Sequence, residues 1–329
     1  MPTADQVKAL IRSHADGDDA RFYAIAMQVA AHAARTGHAR FAADLRKLID
    51  DVRSRERSAA SVPRLRPLPI VQPKGELAGL LTVSYPKARF AELIVERSVV
   101  GRLERVLTEQ RQRTRIREHG LEPMRKLLLV GPPGTGKTMT AGVLAGELGL
   151  PLLTIQFDGL ISRYLGETAA KLRLVFDAMR EQRAVYLFDE FDALGAHRAS
   201  PNDVGEIRRV LNSFLLFIKQ DESDSVIVAA TNFGAMLDAA LFRRFDTVIE
   251  YGLPGRDLAE QLLRNRLALL DTTKVDWTTV IDLAAGQSHA ELARACEQAA
   301  KDAILAHTTA IDTNTLLDAL RERGSTPLK

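Results

Sequence analysis

The sequence predicts an α/β fold. A five-stranded parallel sheet is covered by helices, an all-helical lid follows it, and a small helical bundle precedes it. Three observations carry this. From Leu127 onward, short apolar segments alternate with amphipathic ones. A glycine-rich turn stands between the first apolar segment and the helical run behind it. After Pro254 no strand signal returns, and helical periods continue.

Residues 1–55 read as three short helices. Val7, Leu10 and Ile11 form one apolar face, then Phe22, Ile25, Ala26 and Val29, then Phe41, Leu45, Leu48, Ile49 and Val52. Their spacing suits amphipathic helices. Breaks fall at Asp16-Gly17-Asp18 and Thr36-Gly37-His38. Residues 56–80 read as a linker, because Pro63, Pro67, Pro69 and Pro73 stop helices and favour extended chain. Residues 81–253 are expected to form the α/β core, with strands at Leu127–Val130, Leu152–Ile155, Val185–Phe188, Val226–Ala229 and Val248–Tyr251. Residues 254–329 are expected to form the lid, with helical runs at 256–270, 276–284, 288–306 and 312–323.

Composition excludes several classes. The 329 residues are 46% hydrophobic and 26% charged, ordinary for a globular chain. Lys and Arg number 45 against 42 Asp and Glu, a net charge of +3. Such a balance does not hold a protein on nucleic acid by bulk charge. The basic run Arg102–Lys126 lacks the interleaved aromatics that stack on bases, and reads as a charged outer face. The single cysteine, Cys296, permits no internal disulfide and no multi-cysteine zinc site. No apolar stretch approaches the roughly 18 residues that cross a bilayer. The N-terminal MPTADQVKAL lacks the basic and apolar regions of a signal peptide. A cytoplasmic protein without membrane insertion is expected.

The chemistry begins at Gly131-Pro132-Pro133-Gly134-Thr135-Gly136-Lys137-Thr138. This is G-x-x-x-x-G-K-[ST] between a strand and a helical run, Met139–Leu148. Glycines let backbone N–H groups curl around phosphates, and the helix N-terminus adds partial positive charge. Lys137 would face the β- and γ-phosphates of ATP, and Thr138 would offer its hydroxyl to Mg²⁺. Next, the strand Val185–Phe188 delivers Asp189 and Glu190. Asp189 would hold the Mg²⁺ through water. Glu190, expected on the opposite side of the pleat, would polarise an attacking water.

These two segments, with Ala229-Ala230-Thr231-Asn232 and Leu241-Phe242-Arg243-Arg244-Phe245-Asp246, resemble the classical AAA group of the AAA+ ATPases. The likeness covers roughly residues 90–310. It implies an α/β ATPase core with a helical lid, assembled as a homo-oligomer, usually a hexameric ring, with nucleotide between subunits. Asn232 then corresponds to the polar sensor near the γ-phosphate. Arg243 and Arg244 correspond to arginines that reach a neighbour's γ-phosphate. Their Arg-Arg-Phe form is closer to the katanin-like and ESCRT-disassembling ATPases than to the Arg-Pro-Gly-Arg of many relatives, which leaves open which arginine dominates.

The resemblance also places a pore loop after the second strand, where Arg163, Tyr164 and Leu165 match its cation–aromatic–aliphatic triplet. The polar segment His197–Glu206 could form a second loop. An exposed ring wedges against an extended polypeptide without reading its sequence, so a protein substrate is favoured. A nucleic-acid-directed AAA+ ATPase of DNA defence or mobility is the alternative. The chain shows no HExxH and no Ser/His/Asp segment, so any protease or effector would be a separate partner, met through residues 1–55. In the lid, His289 and Ala290 align with a Gly-Ala pair whose backbone packs on adenosine. His289 could stack on adenine or cap its helix. Ile94 and Val95 are weaker candidates for the adenine pocket, and Arg294 for a lid sensor.

Overall fold

The computed structural model describes residues 73–160, 165–191, 203–232 and 242–324, together with Ala26, Val29, Ala30 and Lys47. The chain divides into two units, Met1–Pro67 and Leu68–Lys329. Apart from those four residues the expected three-helix bundle lies outside the described residues, as do most of the linker, Arg163, Tyr164 and residues 197–202.

The second unit opens with a 3₁₀ turn, Gly75–Gly79, followed by strand β1, Leu81–Ser84. Leu80 is buried in the core, so the expected linker ends before residue 80. Helices α1, Arg97–Arg111, and α2, Arg113–Glu118, precede β2, Lys126–Val130. Then come α3, Lys137–Leu148, β3, Leu152–Ile155, the single turn α4, Phe157–Leu160, and α5, Leu165–Glu181. Strand β4, Val185–Phe188, α6, Asp203–Gln220, β5, Val226–Thr231, and β6, Thr247–Glu250, complete the sheet layer.

The strand order is β1-β3-β4-β5-β2-β6. Five strands run parallel, as the sequence predicts. The sixth, β1, is antiparallel to β3, with Leu81 opposite Ile155 and Ser84 opposite Leu152. Its four residues are too short to show a period, and only pairing with β3 makes them a strand.

Every residue of β4 and β5 is buried. Their apolar runs are what a parallel sheet covered on both faces requires. Alternate residues feed two cores. Tyr186, Phe188, Ile227 and Ala229 join Phe176 of α5 and Phe214 of α6 on one face. Val185, Leu187, Val226 and Val228 join Leu103 of α1 and Leu144 of α3 on the other.

The basic run 102–126 is not a single outer face. Arg125 is buried and pairs with Asp221, while Arg102 donates to the Val248 carbonyl. Asp246 accepts the N–H groups of Arg125 and Lys126 at 2.8 and 2.9 Å. The Asp221 and Asp246 contacts fasten the start of β2 to the segments before β5 and β6, and Arg102 ties α1 to β6.

The lid consists of α7, Arg256–Arg266, α8, Trp277–Ala284, α9, His289–Leu305, and α10, Thr313–Gly324. Asp276 caps α8, accepting from Thr278 N. Ser288 and Glu291 form a reciprocal capping box on α9. Leu263, Val280, Leu292, Ala299 and Leu316 make a separate lid core. The Arg264 guanidinium lies 4.2 Å over the Trp277 ring, tying α7 to α8.

Phe214 is fully buried, with ring centres 4.9 Å from Phe188 and 4.6 Å from Phe191. Phe214→Ala should lower unfolding stability by about 3–5 kcal/mol, read from denaturant titration by circular dichroism.

Candidate active site

The carboxyl ends of β4, β5 and β2 lie side by side, and parallel strands send their following loops to one edge. Val130 pairs with Thr231, and Phe188 with Ala229. Gly131, Asp189 and Asn232 therefore leave the sheet as neighbours.

Between β2 and α3 the chain makes a loop at Gly131–Gly136. A Cβ at Gly131 would collide with the Tyr251 carbonyl oxygen and come 2.8 Å from the Tyr251 Cβ. Only glycine permits that approach. Tyr251 also donates its N–H to the Val130 carbonyl at 2.7 Å, and its hydroxyl meets Thr140 Oγ1 at 2.7 Å. Burial pushes the phenol up to about 12, so it remains protonated for that bond. Gly134 has φ +73, and its carbonyl accepts the Ala290 N–H at 3.0 Å. The loop thus touches the lid directly.

The side chain of Lys137 is buried beneath the loop. Its ammonium donates to the carbonyls of Gly131 and Pro132 at 2.7 and 2.8 Å, and to Asn232 Oδ1 at 2.9 Å. Thr138 Oγ1 donates to Asp189 Oδ2 at 2.6 Å. Asp189 Oδ1 accepts the Glu190 N–H at 2.9 Å. Hydroxyl and carboxylate oxygens this close are a donor set suited to a hard divalent cation that keeps waters and phosphate oxygens.

Glu190 departs from the expectation of alternation on a pleat. Strand β4 ends at Phe188, and Glu190 sits in a turn with φ +50, a conformation uncommon for a non-glycine residue. Phe191, buried behind it, donates its N–H to the Ala230 carbonyl at 2.8 Å. The turn is held at both ends and leaves the Glu190 side chain exposed. Such local strain belongs where the surrounding structure over-determines a geometry.

These groups border a cleft of about 360 Å³ between the core and the lid. One wall is Glu92–Val95, and the floor is Pro133–Met139. The lid contributes Leu262, Arg266, His289, Ala290 and Ala293. The expected Ile94, Val95, His289 and Ala290 all reach the cleft. His289 does not cap α9, since Ser288 does.

Among the described residues, Arg243, Arg244 and Arg294 are exposed and do not line this cleft. Arg243 and Arg244 lie in the turn before β6, held by buried Phe245. Leu165 begins α5 instead of preceding a helix at residue 169, and residues 203–206 belong to α6. Sequence reasoning missed Arg266, the lid arginine that does border the cleft. Its one signal is position, four residues after Leu262 on the same face of α7.

A strand, a glycine-rich loop ending in a buried lysine, an acidic turn and a helical lid define an α/β nucleotide-binding ATPase. Residues 127–253 match the AAA family, ATPases associated with various cellular activities. The uncharacterized AAA family ATPase y4kL of Sinorhizobium fredii is 35% identical over 326 residues, 98% of this chain and 96% of that protein. A proteasome-activating nucleotidase of Methanoregula boonei is 34% identical over 212 residues, 62% of this chain and 48% of the relative. An ATP-dependent zinc metalloprotease FtsH of Acidothermus cellulolyticus is 33% identical over 236 residues, covering 68% of this chain and 35% of the relative. The chain belongs to the AAA family of ATPases. It spans about half or less of the two longer relatives. Among the described residues, no helix is long and apolar enough to cross a membrane.

Removing the Tyr251 hydroxyl leaves Thr140 its bond to the Gly136 carbonyl. Tyr251→Phe should cost about 0.5–1.5 kcal/mol in a urea titration, with the fold intact by circular dichroism.

Proposed function

We propose that the chain is a Mg²⁺-dependent, ring-forming ATPase that remodels or threads protein substrates. The observation that carries the catalytic part is the convergence of Lys137, Thr138, Asp189 and Asn232 from three adjacent strand ends, with Glu190 held at their edge. On this reading ATP lies in the cleft, its phosphates along the amides of residues 131–138. Lys137 neutralises the β- and γ-phosphates. Thr138 and Asp189 would hold the magnesium, which offsets phosphate charge when bound. Glu190 takes a proton from water as its oxygen attacks the γ-phosphorus, and the bond to the ADP oxygen breaks. Asn232 orients that water.

Assembly supplies the remaining cation. Arg243 and Arg244 stand outside their own cleft, which suits a guanidinium acting on a neighbouring subunit's γ-phosphate. A homo-hexameric ring is the proposed assembly, with 81–253 as core and 254–329 as lid. Residues 1–55 are proposed to bind a partner, such as an adaptor or a separate protease. Relatives named as a proteasome-activating nucleotidase and as a protease support the protein-substrate reading. The pore triplet Arg163-Tyr164-Leu165 follows β3 and α4, away from the phosphate loop in sequence. The proposed location is the cytoplasm.

Lys137→Ala should abolish ATP binding, whereas Glu190→Gln should keep ATP bound and block turnover. Equilibrium binding and steady-state hydrolysis on both variants separate the two roles. Wild-type turnover in Glu190→Gln would sink the general-base assignment.

Tyr164→Ala should leave basal ATP hydrolysis within a few-fold while ending ATP-driven unfolding of a protein client, and Tyr164→Phe should behave as wild type. A large drop in melting temperature together with lost hydrolysis would instead mark Tyr164 as core.

A further inference from the structure

The end of the sheet opposite the cleft gathers positive charge that its own side chains do not neutralise. We propose that Arg113, Arg117 and Arg183 form a binding site for a phosphate group, beside the starts of β4 and β5 and apart from the nucleotide cleft.

Three segments assemble the cluster. Arg113 and Arg117 stand four residues apart on α2, and so share one face of it. Arg117 Nη1 donates to Asp224 Oδ1 at 2.6 Å, in the turn before β5. Arg183, in the turn before β4, donates through Nε to the Asp224 carbonyl at 3.1 Å. Its Nη2 donates to Gln110 Oε1 of α1 at 3.4 Å. Asp224 thus draws the Arg117 and Arg183 guanidinium groups to one residue, and α2 adds the third.

The charges there do not balance. Asp224 supplies one carboxylate. Glu122 pairs with Arg117 at 3.2 Å but is 73% exposed, so solvent screens it. Among the described residues Arg113 makes no ion pair and no hydrogen bond. Packing closes off its Nη1, which no ligand reaches. Its Nε and Nη2, and Arg183 Nη1, are not enclosed and make no bond among the described residues. The like charges also act on each other. Arg183 is lowered to about 10, by burial first and by Arg113 next, against the pull of Asp224. It stays protonated at pH 7, so the repulsion persists until an anion offsets it.

The open donors specify the anion. Guanidinium forks pair with oxyanions. The free N–H groups come from two arginines on different elements, so a planar carboxylate suits only one fork. A phosphate group presents its oxygens as a tetrahedron and carries close to two negative charges near neutral pH, enough for both forks. Arg113, Arg117 and Arg183 are all half-buried, which favours so compact a group.

The test is thermal melting of the full chain at constant ionic strength, with chloride exchanged for inorganic phosphate. It compares the wild type with Arg113→Gln and Arg113→Lys. A saturating non-hydrolysable ATP analogue with Mg²⁺ is present throughout, which keeps phosphate from the loop 131–138. Arg113→Gln removes no bond among the described residues, so without phosphate it should melt no lower than the wild type. Phosphate stabilises many proteins without binding them, so the difference between variants is the readout. The phosphate-dependent rise should need about tenfold more phosphate in Arg113→Gln, the loss of one charge-assisted hydrogen bond. Arg113→Lys, which keeps the charge without the fork, should fall between. An equal rise in the wild type and Arg113→Gln would overturn the proposal. So would acetate acting on the wild type as strongly as phosphate. O-phosphoserine separates the sources. A rise matching that of inorganic phosphate assigns the site to a phosphorylated protein side chain, and a rise from inorganic phosphate alone assigns it to the free ion.

Discussion

The ammonium of Lys137 is the point on which the cleft depends. It is buried, and a buried charge persists only where polar atoms surround it. Here the carbonyls of Gly131 and Pro132 and the amide of Asn232 do so. That requirement couples two parts of the sheet. Lys137 follows β2, Asn232 follows β5, and the two meet because β5 pairs with β2. The next strand outward, β4, brings Asp189 against Thr138. Strand order is thus itself a constraint on how the cleft is built. Interposing any strand among these three would separate the lysine, the amide and the carboxylate by at least one strand spacing of about 4.8 Å.

The opposite pole of the sheet is fastened by different chemistry. Arg125 and Asp221 form a buried ion pair, and Asp246 holds the backbone at the start of β2. Near it Arg183 is lowered to about 10, chiefly by burial and then by the neighbouring Arg113. Asp224 is lowered by Arg117, whose hydrogen bond and charge outweigh the cost of burial. Buried pairs add little net stability over apolar packing, but removal of one partner strands the other. They are best understood as setting where β2 begins. The phosphate loop starts six residues after Arg125 and inherits that position.

Core and lid are physically one site. Gly134 accepts from Ala290, Ser288 closes over the same glycine, and Tyr251 clamps the loop just before the chain enters α7. Motion of the lid must therefore strain or release the phosphate loop. The positive φ of Glu190 adds a second local strain, held by the anchoring of Phe191 on β5. The Glu190 turn belongs to the backbone, so it leaves no mark in residue composition.

Local signals determined much of this protein. Apolar runs marked the five parallel strands to within one or two residues, because a strand buried on both faces tolerates little else. The loop 131–138 and the pair Asp189-Glu190 were legible because phosphate and metal chemistry demand particular residue types at fixed spacing. Only the tertiary structure decided the rest. Strand β1 exists through pairing with β3, not through its own four residues. Arg125 looked like one more surface charge until Asp221, distant in sequence, enclosed it. Arg266 and not Arg294 reaches the cleft, because the packing of α7 and α9 selects which helix face turns inward. Glu190 leaves the pleat because β4 ends two residues earlier. For β1, Arg125 and Arg266 the deciding partner lies far along the chain, and local periodicity carries no information about it.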